Sequence, residues 1–373
     1  MDRHLHIVTH DVPWPADFGG VVDLFYKIKA LHNLGIKIHL HCFVTRRPEQ
    51  KMLDKYCVSV QYYQRKKGFT GFSFRAPYIV QSRNDEALLK DLEQDHYPIL
   101  LEGIHCTYFL QHGKLKNRKV FVRLHNVEYK YYQQLAAFET NMIRKTYFNL
   151  ESRLLKKYEK QLAKKASFWT VSLEDAQVYK NEFNAEHIHF MPVFLPWEEV
   201  SSLPGDGDYC LYHGNLSINE NEKAVEWLLK EVFNDIEIPF VIAGKDPSSK
   251  LKALIETYPN SRIIADPSEA AMQELIQKAQ INILPSFNKT GVKLKLLNAL
   301  FNGRHCLVNT AAVEGSGLES YCTIAGPVNE FKTAIKKLFN EEFTQEKIRQ
   351  RDAGLKSVYN TEQNARKLIA WIY

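Results

Sequence analysis

At 373 residues the chain is too long for one hydrophobic core and long enough for two domains. Hydrophobic residues at 45% and charged residues at 25% give the balance of a globular protein, and a net charge of +6 is too small for this length to imply nucleic acid. No apolar run reaches the roughly 18 residues of a spanning helix, and the six scattered cysteines, without a CxxC pair, exclude a disulfide framework or a zinc site. The opening MDRHLHIVTHDVPWP lacks the continuous apolar core of a signal peptide, so the expected compartment is the cytoplasm.

In chain order, LHIVTH (5–10) predicts a strand, and VVDLFYKIKALHNLG (21–35) predicts an amphipathic helix that stops at Gly35. IKIHLHCFV (36–44), YPILLEG (97–103), KVFVRLH (119–125) and SFWTVS (167–172) predict further strands. Between the last two lies a long helix over 141–166. Its stripe Tyr147, Leu150, Leu154, Tyr158 and Leu162 is expected to face the core, and the remainder carries eight basic against two acidic residues. Ser172, three residues before Asp175, predicts a capping box. The stretch 190–208, with three prolines and two glycines, breaks regular structure. The rhythm then restarts: DYCLYHG (208–214), a helix over 221–233, PFVIAGK (239–245), SRIIAD (261–266), INILPS (281–286) and HCLVNT (305–310). The chain ends in TEQNARKLIAWIY, whose Leu368, Ile369 and Trp371 need a surface to cover.

Strands alternating with helices predict an α/β protein of two doubly wound Rossmann-like domains facing across a cleft. The expected division is 1–195, a linker 196–207, a second domain 208–355, and a terminal helical segment 356–373 packing back onto the first. Ligands of such sheets bind beyond the carboxyl ends of the strands. Gly19 and Gly20 stand there, ahead of the first helix, where paired glycines let backbone approach a ligand. Glu102 and His105 follow one strand; His125, Asn126 and Glu128 follow another, making His125 a candidate for the reaction centre. His4, His6, His39 and His41 alternate within strands and read as structural. No H-E-x-x-H or comparable spacing points to a metal. In the second half Gly214 and Lys245 end strands. Gly291 then opens TGVKLKLLNALFNGRHCLVNT, with Lys293 at a helix N-terminus where a cation opposes the helix dipole. A bound diphosphate would reverse that conflict.

Taken in order, DFGG, RLHNVEY (123–129), HGNLSINENEKAVEWLLKEVF and the TGVKLKLLNALFNGRHCLVNT block followed by VEGSGL resemble the GT-B glycosyltransferases of the retaining, family-4-like kind. The resemblance implies a hexosyltransferase of polysaccharide biosynthesis that uses a nucleotide diphosphate sugar and a glycan or lipid-linked acceptor, without a metal cofactor. It implies that Lys245, Gly291, Val292 and Lys293 hold the diphosphate, that Ile264 and Ala265 face the base, and that Gly214 opens the donor domain. It places Gly19, Gly20 and His125 on the sugar and acceptor side. The family commonly carries two glutamates eight residues apart; here those positions are Thr290 and Asn298. Asn298 is expected to hydrogen-bond the donor ribose without charge assistance, with Glu314 as a nearby carboxylate. A catalytically degenerate binder of sugar, nucleotide or partner and a nucleotide-sugar epimerase are the alternatives. The basic helix 141–166 is the expected contact with an anionic membrane surface, giving a peripheral location.

Overall fold

The computed structural model describes residues 2–16, 19–45, 47–287 and 291–373. The chain forms two compact units, Met1–Pro196 with Tyr359–Tyr373, and Trp197–Val358.

The first unit is built on seven strands: β1 His4–Thr9, β2 Lys37–Val44, β3 Ser59–Gln64, β4 Ile99–Glu102, β5 Val120–Leu124, β6 Ser167–Thr170 and β7 Ile188–Phe190. They pair in parallel in the order β3-β2-β1-β4-β5-β6-β7, so the winding reverses between β1 and β4. The strands β3 and β7 escape sequence reading because they lie at the sheet edges; β3 is largely half-exposed and β7 has three residues. The helix Gly19–Asn33 buries Val21, Leu24, Ile28 and Leu31 and stops at Gly35, whose φ of +83° suits glycine. The terminal helix Thr361–Ile372 covers the same core: Ala365, Leu368 and Ile372 pack with Leu5, Ile7 and Trp169. The four strand histidines form a cross-strand ladder, His4 Nδ1 to His39 Nε2 at 3.0 Å and His6 Nδ1 to His41 Nε2 at 2.9 Å, anchored by Asp95.

The long basic helix runs Met142–Leu162, capped by Asn141, whose carbonyl oxygen accepts from the N–H groups of Ile143 and Arg144. Its buried face differs from the expected stripe. Glu151, Ser152, Leu155, Tyr158, Glu159 and Leu162 point inward, while Tyr147, Leu150 and Leu154 are half-buried. The two acids cause the rotation. Glu159 accepts from the N–H groups of Glu128 (3.1 Å) and Tyr129 (3.0 Å), capping the helix Glu128–Phe138, whose own cap residue Val127 offers no side-chain acceptor. Glu151 accepts from the N–H of Tyr78 (2.8 Å), at the start of the helix Tyr78–Gln81. Both negative charges sit at positive helix ends, which leaves the outer face to cations. The capping box also forms, with Ser172 Oγ accepting from the N–H of Asp175 at 3.1 Å.

The second unit holds β8 Cys210–Asn215, β9 Phe240–Lys245, β10 Ser261–Ala265, β11 Ile281–Ile283, β12 His305–Val308 and β13 Thr323–Ile324, in the order β10-β9-β8-β11-β12-β13. The winding reverses between β8 and β11. The stretch 197–207 is not a separate linker. Trp197 stacks on Phe301 (5.7 Å between centroids), Ser201 N–H donates to the Phe301 carbonyl at 2.7 Å, and Gly205 bridges Phe343, so these residues belong to the second unit. The return crossing falls at 358/359, three residues later than the expected 355/356. Among the described residues no helix is long and apolar enough to cross a membrane.

Candidate active site

At the carboxyl edge of the first sheet, His125 follows β5, Glu102 ends β4, and Gly19 and Gly20 open the helix that carries Asp23 and Lys27. His125 Nε2 lies 3.2 Å from Glu102 Oε2, and its Nδ1 lies 3.8 Å from Asp23 Oδ2. Beneath them is a closed web of charge. Lys27 reaches Asp23 at 3.1 Å and Glu102 at 2.7 Å, and Arg123 reaches both oxygens of Asp23, at 3.1 and 3.2 Å. All four are essentially without solvent exposure. Burial alone would raise the Asp23 carboxyl, yet Arg123 and Lys27 hold it well below the usual carboxylate range. Burial also opposes ionisation of Glu102, where Lys27 and His125 outweigh it.

Asp23, Glu102 and His125 each offer a ligand atom within 4.8 Å of the others. The two carboxylates, however, already meet two buried cations, and Lys27 stands on the oxygens a metal would need. The web instead fixes the place and orientation of His125, which keeps 14% of its side chain exposed. Sequence reading missed Asp23, Lys27 and Arg123. The signal was present: an acid and a base four residues apart on the apolar face of VVDLFYK.

Around His125 the rings of His10 and His105 stack at 5.0 Å, and His10 meets His125 edge-on at 5.7 Å. The Nδ1 atoms of His10 and His105 are buried without a hydrogen-bond partner among the described residues. Burial, then His125 and Arg83, pull His10 far below its ordinary value; burial, then Arg83, do the same to His105. Glu128, expected at the site, turns inward beside Glu159 and Asp175, and burial with those two acids pushes its carboxyl up to about 8.

Opposite signs follow for stability. Buried Glu128, and Glu159 and Glu151 (each pushed up to about 7, chiefly by burial), stabilise the fold below the ordinary glutamate value, and that contribution is lost as pH rises through 7–8. His41 and His213, held neutral down to about 3 by burial, stabilise it above 6.5 and lose that contribution as pH falls. The melting temperature is therefore expected to peak between about pH 4.5 and 6.5 and to decline toward pH 8. Glu128→Gln should flatten the alkaline decline, read from melting curves at pH 6 and 8; an unchanged slope refutes the assignment.

In the second unit Gly214 and Gly244 are register partners, and Lys245, exposed, ends β9 beside Asn215. A side chain at Gly244 would begin 2.0 Å from the Gly214 carbonyl, so this close approach requires glycine. Ile264 and Ala265 end β10, in register with Ala243 and Gly244. After β11, Gly291 (φ +66°) and Val292 lead to Lys293, the cap residue of the helix Leu294–Asn302. Thr290 lies outside the described residues. Glu314 is exposed at the end of the short helix Thr310–Val313 that follows β12. The strand ends thus gather Gly214, Lys245, Ile264 and Ala265 at one edge.

Two features were not anticipated. Lys295, the second cation of the block, turns inward: its ammonium donates to Asn221 Oδ1 (2.9 Å) and Tyr212 Oη (3.1 Å) and lies over the Tyr212 ring at 4.8 Å. Burial pulls it down to about 8. These partners are 74 and 83 residues away, so no local pattern reveals them. Asn298, expected at the ribose, has Oδ1 occupied by the Asn302 amide at 2.8 Å, and Asn302 in turn meets Ser201 at 2.7 Å.

Residues 207–341, most of the second unit, match the family described as glycosyl transferases group 1. Over 99% of the chain the fold resembles that of a sucrose-phosphate synthase from Thermosynechococcus elongatus (TM-score 0.72, 14% identity, 98% of that chain). The chain has the fold of the GT-B glycosyltransferases. Over 99% of its length the chain also resembles WaaG, a glycosyltransferase involved in lipopolysaccharide biosynthesis (TM-score 0.66, 13% identity, 99% of that chain). Over the same share it resembles Anabaena HepE, solved with UDP and glucose (TM-score 0.66, 10% identity, 99% of that chain). A curated relative is an uncharacterized 44.6 kDa protein in the cps region of Klebsiella pneumoniae, 26% identical over 330 residues, 83% of this chain and 84% of that protein.

Proposed function

We propose that the chain is a glycosyltransferase that moves a hexose from a nucleotide diphosphate sugar to a glycan or lipid-linked acceptor, with retention, in polysaccharide assembly. The observation that carries the reading is the coincidence of the family match with the unit whose strand ends gather Gly214, Lys245, Ile264 and Ala265. The relative in a cps region and the UDP and glucose bound by HepE support it. In this reading the amides opening the helix Leu294–Asn302, with Lys293 and Lys245, offset the charge of the departing nucleotide diphosphate, so no metal is required. Ile264 and Ala265 contact the base. Gly19, Gly20 and His125 serve the sugar and acceptor, with His125 held in place by Glu102 and Asp23.

The test is a melting-temperature screen across UDP-, GDP- and ADP-sugars, followed by nucleotide release with and without chelator. One nucleotide sugar should stabilise the protein, and release should survive chelation. No stabilisation by any donor, or turnover abolished by chelator and restored by Mg²⁺, overturns the reading.

A non-catalytic binder is the second reading, favoured by one observation: the position of the family's ribose-binding glutamate holds Asn298, whose oxygen is already engaged by Asn302. Asn298→Glu separates the two. For an active transferase the restored carboxylate should tighten donor binding by up to about tenfold, or ~1–2 kcal/mol. For a binder with an altered pocket it adds an unpaired charge and lowers the melting temperature with no gain in affinity.

A further inference from the structure

The four most exposed large apolar side chains among the described residues lie in two segments of the first unit. Phe69 is 96% and Phe74 77% exposed in the loop 65–77; Met142 is 72% and Ile143 82% exposed at the start of the helix Met142–Leu162. The next most exposed, Val58, reaches 58%. The two segments are joined: Tyr78 N–H, at the end of the loop, donates to Glu151 of that helix, and Arg65, at its start, lies over the Tyr78 ring at 5.1 Å.

The loop is held in shape. Lys66 N–H donates to the Ser82 carbonyl at 2.8 Å and Thr70 Oγ1 to the Lys67 carbonyl at 2.7 Å. Ser73 Oγ accepts from the N–H groups of Arg75 (3.1 Å) and Ala76 (3.3 Å), and the Phe72 and Phe74 rings meet edge-on at 4.8 Å. An ordered loop that displays phenyl groups to water gains nothing for the fold from doing so.

Their surroundings are predominantly cationic. The loop RKKGFTGFSFRAP carries Arg65, Lys66, Lys67 and Arg75 and no acid. The helix continues the pattern, because its two acids are turned inward as caps and its exposed face carries Arg144, Arg153, Lys156, Lys157 and Lys160, of which Arg144 meets Glu139 and Lys156 meets Glu182. Aromatic rings set among cations match an anionic lipid surface, where rings partition at headgroup depth and cations meet the negative surface potential. A protein partner of this area would instead favour depletion of lysine at the contact.

We propose that the first unit docks on an anionic bilayer with Phe69 and Phe74 as its inserted anchors and the helix Met142–Leu162 as its electrostatic face. This moves the principal anchor from the helix to the loop. The inference deepens the reading of a lipid-linked acceptor and rests on it for its purpose, but vesicle binding needs no turnover, so either reading can fail alone.

The test is co-sedimentation of the full chain with vesicles of phosphatidylglycerol and phosphatidylcholine mixed 1:1 (roughly physiological charge density or above) and of phosphatidylcholine alone. Binding is expected to the mixed vesicles only and to weaken as salt is raised. Phe69→Ala with Phe74→Ala should lower the partition coefficient about tenfold or more, with an unchanged melting temperature because both rings are exposed. Lys66→Glu with Lys67→Glu, a charge change on the same loop, should lower it as well. Equal binding of wild type to both vesicles, no binding to either, or wild-type binding by the double phenylalanine variant overturns the proposal. So does a wild-type dimer in sedimentation velocity that the phenylalanine variant abolishes without any change in vesicle binding.

Discussion

Lys27→Met is expected to destabilise the protein by about 3–5 kcal/mol, the cost of leaving a buried charge without its partner. Lys27 lies between Asp23 and Glu102 with no solvent exposure, and its removal leaves two carboxylates facing Arg123 and the partly exposed His125. One carboxylate must then take a proton or remain uncompensated in a medium that solvates charge poorly. At roughly 2–4 °C per kcal/mol for a unit of this size, the fall in melting temperature is about 6–20 °C. The pairwise origin can be isolated. Adding Glu102→Gln removes the stranded charge and should recover part of the loss, because a buried pair replaced as a whole costs less than one that is broken. A double variant that melts as low as the sum of the two single changes contradicts the web as described. Arg123→Met should behave like Lys27→Met, since it leaves Asp23 and Glu102 to share one buried cation, Lys27.

The second large effect concerns the donor. Lys293→Ala is expected to weaken nucleotide diphosphate binding by about 1.5–3 kcal/mol, or tenfold to a hundredfold, the range for a charged hydrogen bond. Lys293 caps the helix Leu294–Asn302 without a side-chain acceptor of its own, at the end where a cation opposes the dipole. Weaker binding in a variant that retains the fold marks a ligand-directed charge. Titration of the variant with the preferred nucleotide diphosphate checks the first half and a melting curve checks the second. Unchanged affinity removes Lys293 from the diphosphate site. Lys295→Ala should do the reverse: its ammonium holds Tyr212 and Asn221 together, so its loss should lower stability first.

The same block thus contains one lysine at the mouth of the helix and one that serves the interior. Lys293 is the extended cap residue before the helix, whereas Lys295 lies on its first turn. Glycine before and apolar residues after mark the turn and the helix, but which lysine meets the ligand depends on what packs behind it. For Lys295 that is Tyr212 on β8 and Asn221 on the following helix.

Local pattern was sufficient for ten of the thirteen strands among the described residues, for the helix stop at Gly35 and the cap at Ser172, and for parallel winding. Those features are set by short-range chemistry: period, glycine conformation and side-chain capping act over a few residues. The three strands it missed are edge strands, two of them only two and three residues long, and these depend on a neighbour for their pairing. Tertiary structure alone decided the rest. It turned Glu151 and Glu159 inward to cap helices up to 73 residues away, and so changed which face of the basic helix is buried. It closed Asp23, Lys27, Glu102 and Arg123 into one web, and it assigned 197–207 to the second unit through Phe301 and Phe343. Each of these outcomes follows from a buried polar group needing a partner that the nearby chain does not supply. The identity of such a partner is a property of the fold, because it is chosen by proximity in space among residues that sequence distance keeps apart.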